Sequence, residues 1–201
     1  MGRLILVLGG ARSGKSTFAL QLARDLGGDD VLFVATAEAG DEEMQRRIER
    51  HRRERPASWN TLEAQRNVGQ AILDHWSQPT PSVSAQSGGT ARVIVVDCLT
   101  VLVSNLLLDV EDPFAADVEA RVMAEVQALV ACAERLGGVL IVVSNEVGLG
   151  LVPPYPLGRA YRDLLGQANR VLARDADQVH FLVAGIPMLV KGESQAADIS
   201  R

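Results

Sequence analysis

The sequence predicts a three-layer α/β fold, in which a mostly parallel central sheet carries helices on both faces. Short apolar runs that suit buried strands alternate along the chain with longer segments whose apolar residues recur at helical spacing. In addition, the first apolar run, residues 4–8, leads directly into a glycine-rich loop and then into a helix. This order of strand, loop and helix is typical of a nucleotide-binding domain.

The glycine-rich loop covers residues 9–16 and fits the pattern of a glycine, four residues, a glycine, a lysine and a serine or threonine. Glycines allow backbone N–H groups to approach a phosphate closely, and the next helix adds its positive dipole end. We expect Lys15 to neutralise charge on the β- and γ-phosphates, and Ser16 to offer its hydroxyl to Mg²⁺. The surrounding strand and helix favour a nucleotide site over an ordinary glycine-rich turn.

Composition and charge narrow the class of protein. A length of 201 residues with 47% hydrophobic residues suits one domain with an ample core. The net charge of −5 argues against a general nucleic-acid-binding protein. Cys98 and Cys132 lie in apolar runs without metal-type spacing, so we expect them to be reduced and buried. With no segment that predicts a signal peptide or a membrane span, these features favour a cytoplasmic protein.

The other elements follow from the same patterns. The first helix is predicted over residues 17–26, where Phe18, Leu22 and Leu26 share a face and two glycines follow. Further strands are predicted at 31–35, 93–96, 139–143, 179–183 and 188–190, the last two joined by a hairpin turn at 185–187. Further helices are predicted at 41–55, 67–76, 99–108, 118–136 and 157–174. The apolar helix at 99–108 suits either the core or a subunit interface, and Arg159 and Arg162 in the last helix suit either a solvated face or a phosphate clamp.

Some segments are predicted to be less regular. The stretch that contains Trp59, Thr61 and Glu63 is one of them. Residues 77–90 are rich in Ser, Pro, Gln and Gly, and we interpret them as a mobile surface loop, since the α/β pattern resumes directly afterwards. Residues 192–201 are polar and are predicted to form a disordered tail. A single domain is therefore expected over residues 1–191.

Polar residues stand where several predicted strands end, which is where ligands collect in open α/β sheets. Thr36 and Ala37 follow the second strand, and Asn145 and Glu146 follow a later one. Asp97 ends the strand at 93–96, which is the position of the carboxylate that holds Mg²⁺ in many nucleotide-binding proteins. A turn or helix-capping role is the alternative, but the phosphate-binding loop favours contact with Mg²⁺ or nucleotide.

The predicted helix at 41–55 is rich in arginine and carries one histidine. His51 shares a face with Met44 and Ile48, so we expect it to point inward or along the rim of a cleft. A neutral imidazole can attack phosphorus, and neighbouring arginines disfavour the imidazolium and attract phosphate. From these residues alone, a surface helix with one histidine is the simpler interpretation.

Several blocks of residues occur together over residues 3–191. They are residues 9–16; Arg47, Ile48, His51, Arg52, Arg55, Pro56, Trp59, Thr61 and Glu63; 96–100 with 104–107; 144–148 with Gly150, Val152 and Pro153; and Arg159, Arg162, Asp163, Gly166, Asn169 and 185–187. This combination closely resembles the family of bifunctional adenosylcobinamide kinases and adenosylcobinamide-phosphate guanylyltransferases. The phosphate-binding loop alone is unspecific, whereas the His51 block and the Asn145–Glu146 block together are specific.

The resemblance implies two reactions of cobalamin biosynthesis in a RecA-like P-loop fold that assembles as a homotrimer. An NTP, ATP or GTP, phosphorylates the aminopropanol hydroxyl of adenosylcobinamide, and GTP then transfers GMP to that phosphate with release of pyrophosphate. The family passes GMP through a covalent histidine, which the motif puts at His51. A non-catalytic nucleotide switch or a RecA-like ATPase is the competing class, but it leaves the His51 block unexplained.

The resemblance also implies roles for individual residues. Lys15 and His51 would be catalytic, Ser16 and Asp97 would hold Mg²⁺, and Glu63 would bind either the guanine edge or a ribose hydroxyl. Asp97 and Glu146 are candidates for the base of the kinase step. The residues expected to contact nucleotide are Gly10, Ala11, Arg12, Ser13, Gly14, Lys15, Ser16, Thr17, Ala35, Thr36, Ala37, Arg52, Arg53, Glu54, Arg55, Glu63 and Asp97.

Overall fold

The computed structural model describes residues 2–38, 45–46, 49, 52–53, 55–77, 92–108 and 110–193. Its strands are β1 (Arg3–Gly9), β2 (Val31–Ala35), β3 (Asn60–Glu63), β4 (Val93–Asp97), β5 (Val139–Asn145), β6 (Gln178–Val183) and β7 (Ile186–Lys191). Its helices are α1 (Lys15–Gly27), α2 (Val68–Ser77), α3 (Leu99–Leu107), α4 (Ala116–Arg135) and α5 (Pro156–Asp175), and residues 45–46, 49 and 52–53 are also helical.

The strands form one sheet of seven in the order β3-β2-β4-β5-β1-β6-β7. All neighbouring pairs are parallel except β6 and β7, which are antiparallel. The predicted mostly parallel sheet is therefore confirmed. In the part of the chain that the structure describes, no helix is both long and apolar enough to cross a membrane.

Two apolar cores cover the two faces of the sheet, because successive residues of a strand point to opposite faces. In β1, Leu4 and Leu6 pack with residues of α2, α3, α4 and α5, whereas Ile5 and Val7 pack with residues of α1. Both faces of the central strands are thus buried, which explains why their sequences are continuous apolar runs and not alternating ones.

Helix α1 contacts the sheet through its small residues. Ala19 and Ala23 are fully buried, and a Cβ added to Gly27 would come within 2.8 Å of a Val93 methyl group. The predicted apolar face of Phe18, Leu22 and Leu26 is only partly buried beside them. The helix itself was predicted correctly, but its innermost face was not, because close approach to a sheet selects small residues in preference to large ones.

The stretch at 60–63 is a strand, and the prediction of a less regular segment is wrong there. β3 pairs with β2 in parallel, from Leu32 with Asn60 to Ala35 with Glu63. The segment before it is fixed by the Trp59 indole N–H, which donates to the carbonyl of Gly28 at 3.0 Å. The hydrogen bonds of β3 to β2 and the contact of Trp59 with Gly28 therefore determine this strand. Its own sequence has no apolar pattern that would do so.

Other predictions need smaller changes. The turn between β6 and β7 is centred on Ala184 and Gly185, both at positive φ, so that Ile186 and Pro187 belong to β7. Helix α3 is buried in the core, with Leu99, Leu102 and Val103 at most 1% exposed. His51, Glu54, residues 78–90 and residues 194–201 lie outside the described residues, so the predictions made for them remain predictions.

Candidate active site

The glycine-rich loop after β1 bends around the amino end of α1. Gly14 adopts φ of 93°, a backbone conformation that favours glycine, and immediately precedes the helix. The backbone N–H of Ser13 donates to the carbonyl of Gly10 at 3.3 Å, which closes the loop. First-turn N–H groups of a helix lack intrahelical acceptors and therefore suit a phosphate.

Lys15 is the charged group of this loop. Its side chain is 8% exposed, and its Nζ donates to the carbonyl of Gly10 at 2.7 Å. The Ser13 hydroxyl is also buried, yet its Oγ has no hydrogen-bond partner among the residues that the structure describes. An unpaired buried hydroxyl inside a loop of this geometry fits a phosphate oxygen as its partner, because burying a polar group without a partner is unfavourable.

The hairpin of β6 and β7 supports the loop from outside the helix. The N–H of Gly185 donates to the carbonyl of Ser13 at 3.0 Å, and the Gly185 Cα would lie 3.3 Å from a Cβ added to Gly14. The two glycines allow the backbones to approach this closely. The Gly185 block of the sequence is therefore part of the loop's support.

Three neighbouring strands bring the predicted strand-end residues together. Ala35 of β2 is the register partner of both Glu63 of β3 and Asp97 of β4. The Glu63 side chain is exposed, and that of Asp97 is half-buried. Two carboxylates thus end the strands on either side of Ala35, at the same edge of the sheet as the phosphate-binding loop.

Arg55 packs against Phe33 of β2 and lies close enough to both carboxylates to interact with them electrostatically. Its guanidinium carbon stacks 3.9 Å from the centre of the Phe33 ring, and one terminal nitrogen donates to the Thr61 hydroxyl at 3.3 Å. Burial and the neighbouring Arg52 lower the pKa of Arg55, while Asp97 and Glu63 act in the opposite direction. Arg55 remains charged at neutral pH, since its ordinary pKa is far higher. A fixed cation with polar N–H groups beside two strand-end carboxylates can orient an anionic ligand.

Thr36 joins the ends of β2 and β4. It is fully buried, and its hydroxyl donates to the carbonyl of Cys98 and accepts from the Cys98 N–H, both at 2.8 Å. Asn105 of α3 extends this connection, since its amide nitrogen donates to the carbonyl of Thr36 at 2.9 Å and to that of Gln65 at 3.2 Å. These contacts fix the two turns that follow β2 and β3.

A second polar group fixes the end of β5. Asn169 of α5 is buried; its amide nitrogen donates to the carbonyl of Asn145 at 2.9 Å, and its oxygen accepts from the Ser144 hydroxyl at 2.6 Å. Thr100 accepts from the N–H of Asn145 at 2.8 Å. The following N–H, of Glu146, donates to Gly9 at 3.0 Å. The end of β5 is therefore bonded directly to the start of the phosphate-binding loop.

Arg159 and Arg162 hold the loop between β5 and α5. Arg159 donates to the carbonyls of Pro153 and Pro154, and Arg162 donates to the carbonyl of Gly148 at 2.7 Å. The sequence left open whether these arginines were a solvated face or a phosphate clamp. In the structure they bind backbone carbonyls of their own loop.

The described site residues fall into two groups along the same edge of the sheet. The phosphate-binding loop forms the first, and the ends of β2, β3 and β4 with Arg55 form the second. Arg52 and Arg53 are exposed and helical near the second group. The structural roles of Asn105, Asn169 and Thr100 were not predicted, although a polar residue inside an apolar helix, such as Asn105 in α3, is a signal of such a role.

The loop, the strand order and the parallel sheet define a RecA-like P-loop protein. In agreement, the ATPase domain of G40P superposes with a TM-score of 0.56 at 18% identity, over 94% of this chain and 77% of that one. The model of the family described as cobinamide kinase / cobinamide phosphate guanyltransferase matches residues 5–190. The chain belongs to this family, as the resemblance of its motifs indicated.

Individual relatives agree with this assignment. The chain is 44% identical to the bifunctional adenosylcobalamin biosynthesis protein CobP of Pseudomonas aeruginosa, over 94% of this chain and 97% of that protein. It is 38% and 37% identical to the bifunctional adenosylcobalamin biosynthesis proteins CobU of Escherichia coli and Salmonella typhimurium, with 94% of this chain and 99% of each relative covered.

Proposed function

We propose that this chain carries out both reactions of its family in cobalamin biosynthesis. In the first, an NTP phosphorylates the aminopropanol hydroxyl of adenosylcobinamide. In the second, GMP passes from GTP to adenosylcobinamide phosphate, which yields adenosylcobinamide-GDP and pyrophosphate. The observation that carries the proposal is the formed phosphate-binding loop, with Lys15 inside it, beside a row of strand-end carboxylates in a chain of this family.

The phosphate-binding loop would hold the triphosphate in both reactions. Backbone N–H groups at the start of α1, the buried Ser13 hydroxyl and Lys15 are the donors available to phosphate oxygens. Mg²⁺ fits the donor set here, because Ser16 and Asp97 both supply the oxygen ligands that this ion prefers. When bound, the ion would neutralise charge on the triphosphate and leave its remaining positions to phosphate oxygens and water.

The nucleoside would lie along the ends of β2 and β3. Ala35, Thr36 and Ala37 line the first of these ends, and Glu63 terminates the second with an exposed carboxylate. Such a carboxylate can accept from the guanine N1–H and N2–H₂ groups or from a ribose hydroxyl. Arg52, Arg53, Glu54 and Arg55 belong to the same proposed nucleotide contacts, with Arg55 supported by its stacking on Phe33.

His51 is proposed as the nucleophile of the second reaction. An imidazole nitrogen would attack the α-phosphorus of GTP, forming an N–P bond as the bond to the β-phosphate oxygen breaks and pyrophosphate leaves. The substrate phosphate would then take GMP from the histidine and regenerate the free imidazole. For the kinase step, Asp97 and Glu146 are the candidate bases that would accept the proton of the attacking hydroxyl.

The most direct test is product analysis. Purified protein incubated with adenosylcobinamide, GTP and Mg²⁺ is expected to give a corrinoid whose mass has increased by a phosphate and then by GMP. Omission of the corrinoid, with GTP labelled at the α-phosphate, is expected to leave label on the protein. That label should be acid-labile and comparatively base-stable, as a phosphoramidate is. A protein that binds GTP but forms neither product would contradict the proposal.

Histidine variants assign the label. His51→Ala and His51→Asn are both expected to abolish the label and the second reaction while the kinase step continues, because neither side chain has a nucleophilic nitrogen. His75→Ala, a change in α2, is the matched control and should keep the label. Labelling that survives the loss of His51 would overturn its assignment.

We also propose a cytoplasmic homotrimer. The support is an exposed apolar surface on β7, where Ile186 and Val190 are 66% and 65% exposed and Met188 is 55% exposed. Contiguous exposed apolar side chains on a sheet edge are typical of a protein–protein contact.

A further inference from the structure

Asn105 joins the segments after β2 and β3, the two strand ends that we assign to the nucleoside. It lies on α3, the helix that begins directly after β4 and Cys98. From there its amide nitrogen reaches the Thr36 carbonyl beyond β2 and the Gln65 carbonyl beyond β3, at 2.9 and 3.2 Å. The half-buried Asn105 side chain thus contacts two residues that are 69 and 40 positions away from it in the sequence.

The chemistry of these contacts requires an amide. Both acceptors are backbone carbonyls, so the side chain must present two N–H donors from one atom, and an amide nitrogen does so. A carboxylate of the same shape has no donor, and a hydroxyl has only one. In addition, Arg66 donates to the backbone carbonyl of Asn105 at 3.1 Å, which links the segment after β3 to α3 a second time.

The residues held in this way are those next to the proposed nucleoside contacts. Gln65 is two residues after Glu63, and Thr36 directly follows Ala35, the register partner of both Glu63 and Asp97. The N–H of Ala64 also donates to Ala35 at 2.9 Å. Three of the four residues of β3, a short edge strand, are exposed; Leu62 and the following Ala64 supply its apolar packing, so the polar segment after Ala64 needs a further constraint. The Asn105 amide supplies that constraint.

On this geometry, and resting on the proposed function, we propose that Asn105 is a positioning residue for the nucleoside part of the bound nucleotide. It acts through the backbone, by holding the end of β3 and its Glu63 against the end of β2. It does not act on the triphosphate, because the phosphate-binding loop is fixed by a different set of contacts at the ends of β1, β5 and β6. Loss of Asn105 should therefore weaken binding of the nucleoside selectively.

The readout is the affinity for GTP relative to that for inorganic tripolyphosphate, each measured by calorimetry with Mg²⁺. GTP is supplied as an analogue with a methylene group between the α- and β-phosphorus, so that His51 cannot be guanylylated during the measurement. Tripolyphosphate lacks the nucleoside, so the ratio of the two affinities isolates the contribution of guanosine to binding. This holds whether Glu63 binds the base or the ribose. We expect Asn105→Ala to reduce this ratio at least about tenfold, the loss that accompanies displacement of one hydrogen bond to a charged group. Asn105→Asp, which keeps the shape and removes the donors, is expected to reduce it similarly.

Asn169→Ala is the matched control. Asn169 also donates from a helix to a backbone carbonyl at a strand end, but at β5 beside the phosphate-binding loop. This change should lower the affinities for GTP and tripolyphosphate together and leave their ratio within about twofold of the wild-type value. Thermal melting of all variants identifies any that do not fold, in which case the other Asn105 variant provides the result.

The outcomes separate this inference from the proposed function. An unchanged ratio in a folded Asn105 variant overturns the positioning role, and so does an equal change in Asn169→Ala. The binding measurement needs no corrinoid, so a wild-type protein that forms no guanylylated product contradicts the proposed reactions while the ratio still decides the role of Asn105.

Discussion

At the scale of single residues, Lys15 combines burial with charge. Its ammonium group is held inside the loop by the Gly10 carbonyl, so it is in place before a triphosphate arrives. Removing one preorganised charge contact from a transition state typically costs ~10²–10³ in rate. We expect Lys15→Ala to slow both the kinase and the guanylylation reactions by about this factor, as measured by steady-state kinetics of each.

Lys191 provides the control for this change, since the sequence contains only these two lysines. It lies on β7 and donates to the carbonyls of Ala173 and Arg174. Lys191→Ala is expected to leave both rates near the wild-type values. A Lys15→Ala protein that loses only the kinase reaction would show that a second phosphate site serves guanylylation.

His180 makes stability depend on pH. Its ring packs against Phe18 with centroids 5.0 Å apart, and its Nε2 is buried without a hydrogen-bond partner in the described part of the chain. Burial lowers the pKa of His180. The unfolded chain therefore binds the proton more tightly, and its histidine has a pKa of about 6.5. As the pH falls through that value, the unfolded state gains protons first, so the free energy of unfolding decreases.

We accordingly expect His180→Phe to remove part of the acid sensitivity. The measurement is the melting temperature of both proteins between pH 5 and pH 8. The difference between variant and wild type should grow in favour of the variant below a pH of about 6.5. A difference that stays constant across this range would show that His180 does not carry the pH dependence.

The sequence predicts the position of a single residue best where a motif fixes it locally. The pattern of residues 9–16 puts Lys15 inside the loop, where the structure also has it, because loop geometry and the next helix determine its position within a few residues. Asn105 could not be assigned in the same way, since its acceptors are brought to it by the order of β2, β3 and β4. A polar residue in an apolar helix indicates a buried partner, but it does not identify that partner.

At the scale of secondary-structure elements, the start of α2 is capped by a side chain from another helix. Glu125 of α4 is buried, and its carboxylate accepts from the backbone N–H groups of Asn67 and Val68. These first-turn N–H groups have no acceptor within their own helix. The carboxylate also lies at the positive end of the α2 dipole, so the contact joins α2 to α4 and stabilises the start of α2.

Glu125→Ala is therefore expected to lower the free energy of unfolding by about 1–3 kcal/mol, the cost of leaving buried donors unpaired. Chemical denaturation measures the change. Glu134→Ala is the control on the same helix, because Glu134 is exposed and its loss should change stability by no more than about 0.5 kcal/mol. Equal effects of the two substitutions would exclude a capping role for Glu125.

Strands that are buried on both faces were predicted correctly from the sequence, whereas the exposed strand β3 was not. β1, β2, β4 and β5 are buried on both faces, so each was visible as an apolar run. β3 was missed because its side chains are mostly exposed and its residues, Asn60 to Glu63, alternate only weakly. Its strand conformation depends on hydrogen bonds to β2, and such long-range pairing leaves little trace in a local pattern.

At the scale of the whole molecule, the strand order brings the proposed functional residues together at the carboxyl ends of the parallel strands. It also leaves β7 as an exposed outermost strand of the sheet. The β3 and β2 ends carry the proposed nucleoside contacts, and the β4 end carries Asp97, the proposed Mg²⁺ ligand. The β5, β1 and β6 ends carry the phosphate-binding loop and its supports. β7 is the outermost strand next to β6, and every one of its residues is exposed.

The surface of β7 leads to a prediction about assembly. Ile186 and Met188 are two positions apart and share one face of β7, Val190 follows at an irregularity in the pairing with β6, and all three are more than half exposed. Edge strands of soluble monomers usually carry charges that prevent pairing, whereas an apolar face suits contact with another subunit. We expect the double substitution Met188→Arg and Val190→Arg to convert the proposed trimer into a monomer, because each buried arginine would lack a partner.

Light scattering coupled to size-exclusion chromatography measures this change in mass. Leu149→Arg is the control: Leu149 is 82% exposed in the loop between β5 and α5, outside both β7 and α3, and its replacement should leave the mass of the assembly unchanged. The β6–β7 hairpin also contacts the phosphate-binding loop, because the N–H of Gly185 donates to the carbonyl of Ser13. Loss of a β7 interface should therefore loosen this loop and raise the KM for GTP. A β7 variant that remains a trimer would exclude this surface as the subunit contact, and a monomeric wild-type protein would exclude the proposed assembly itself.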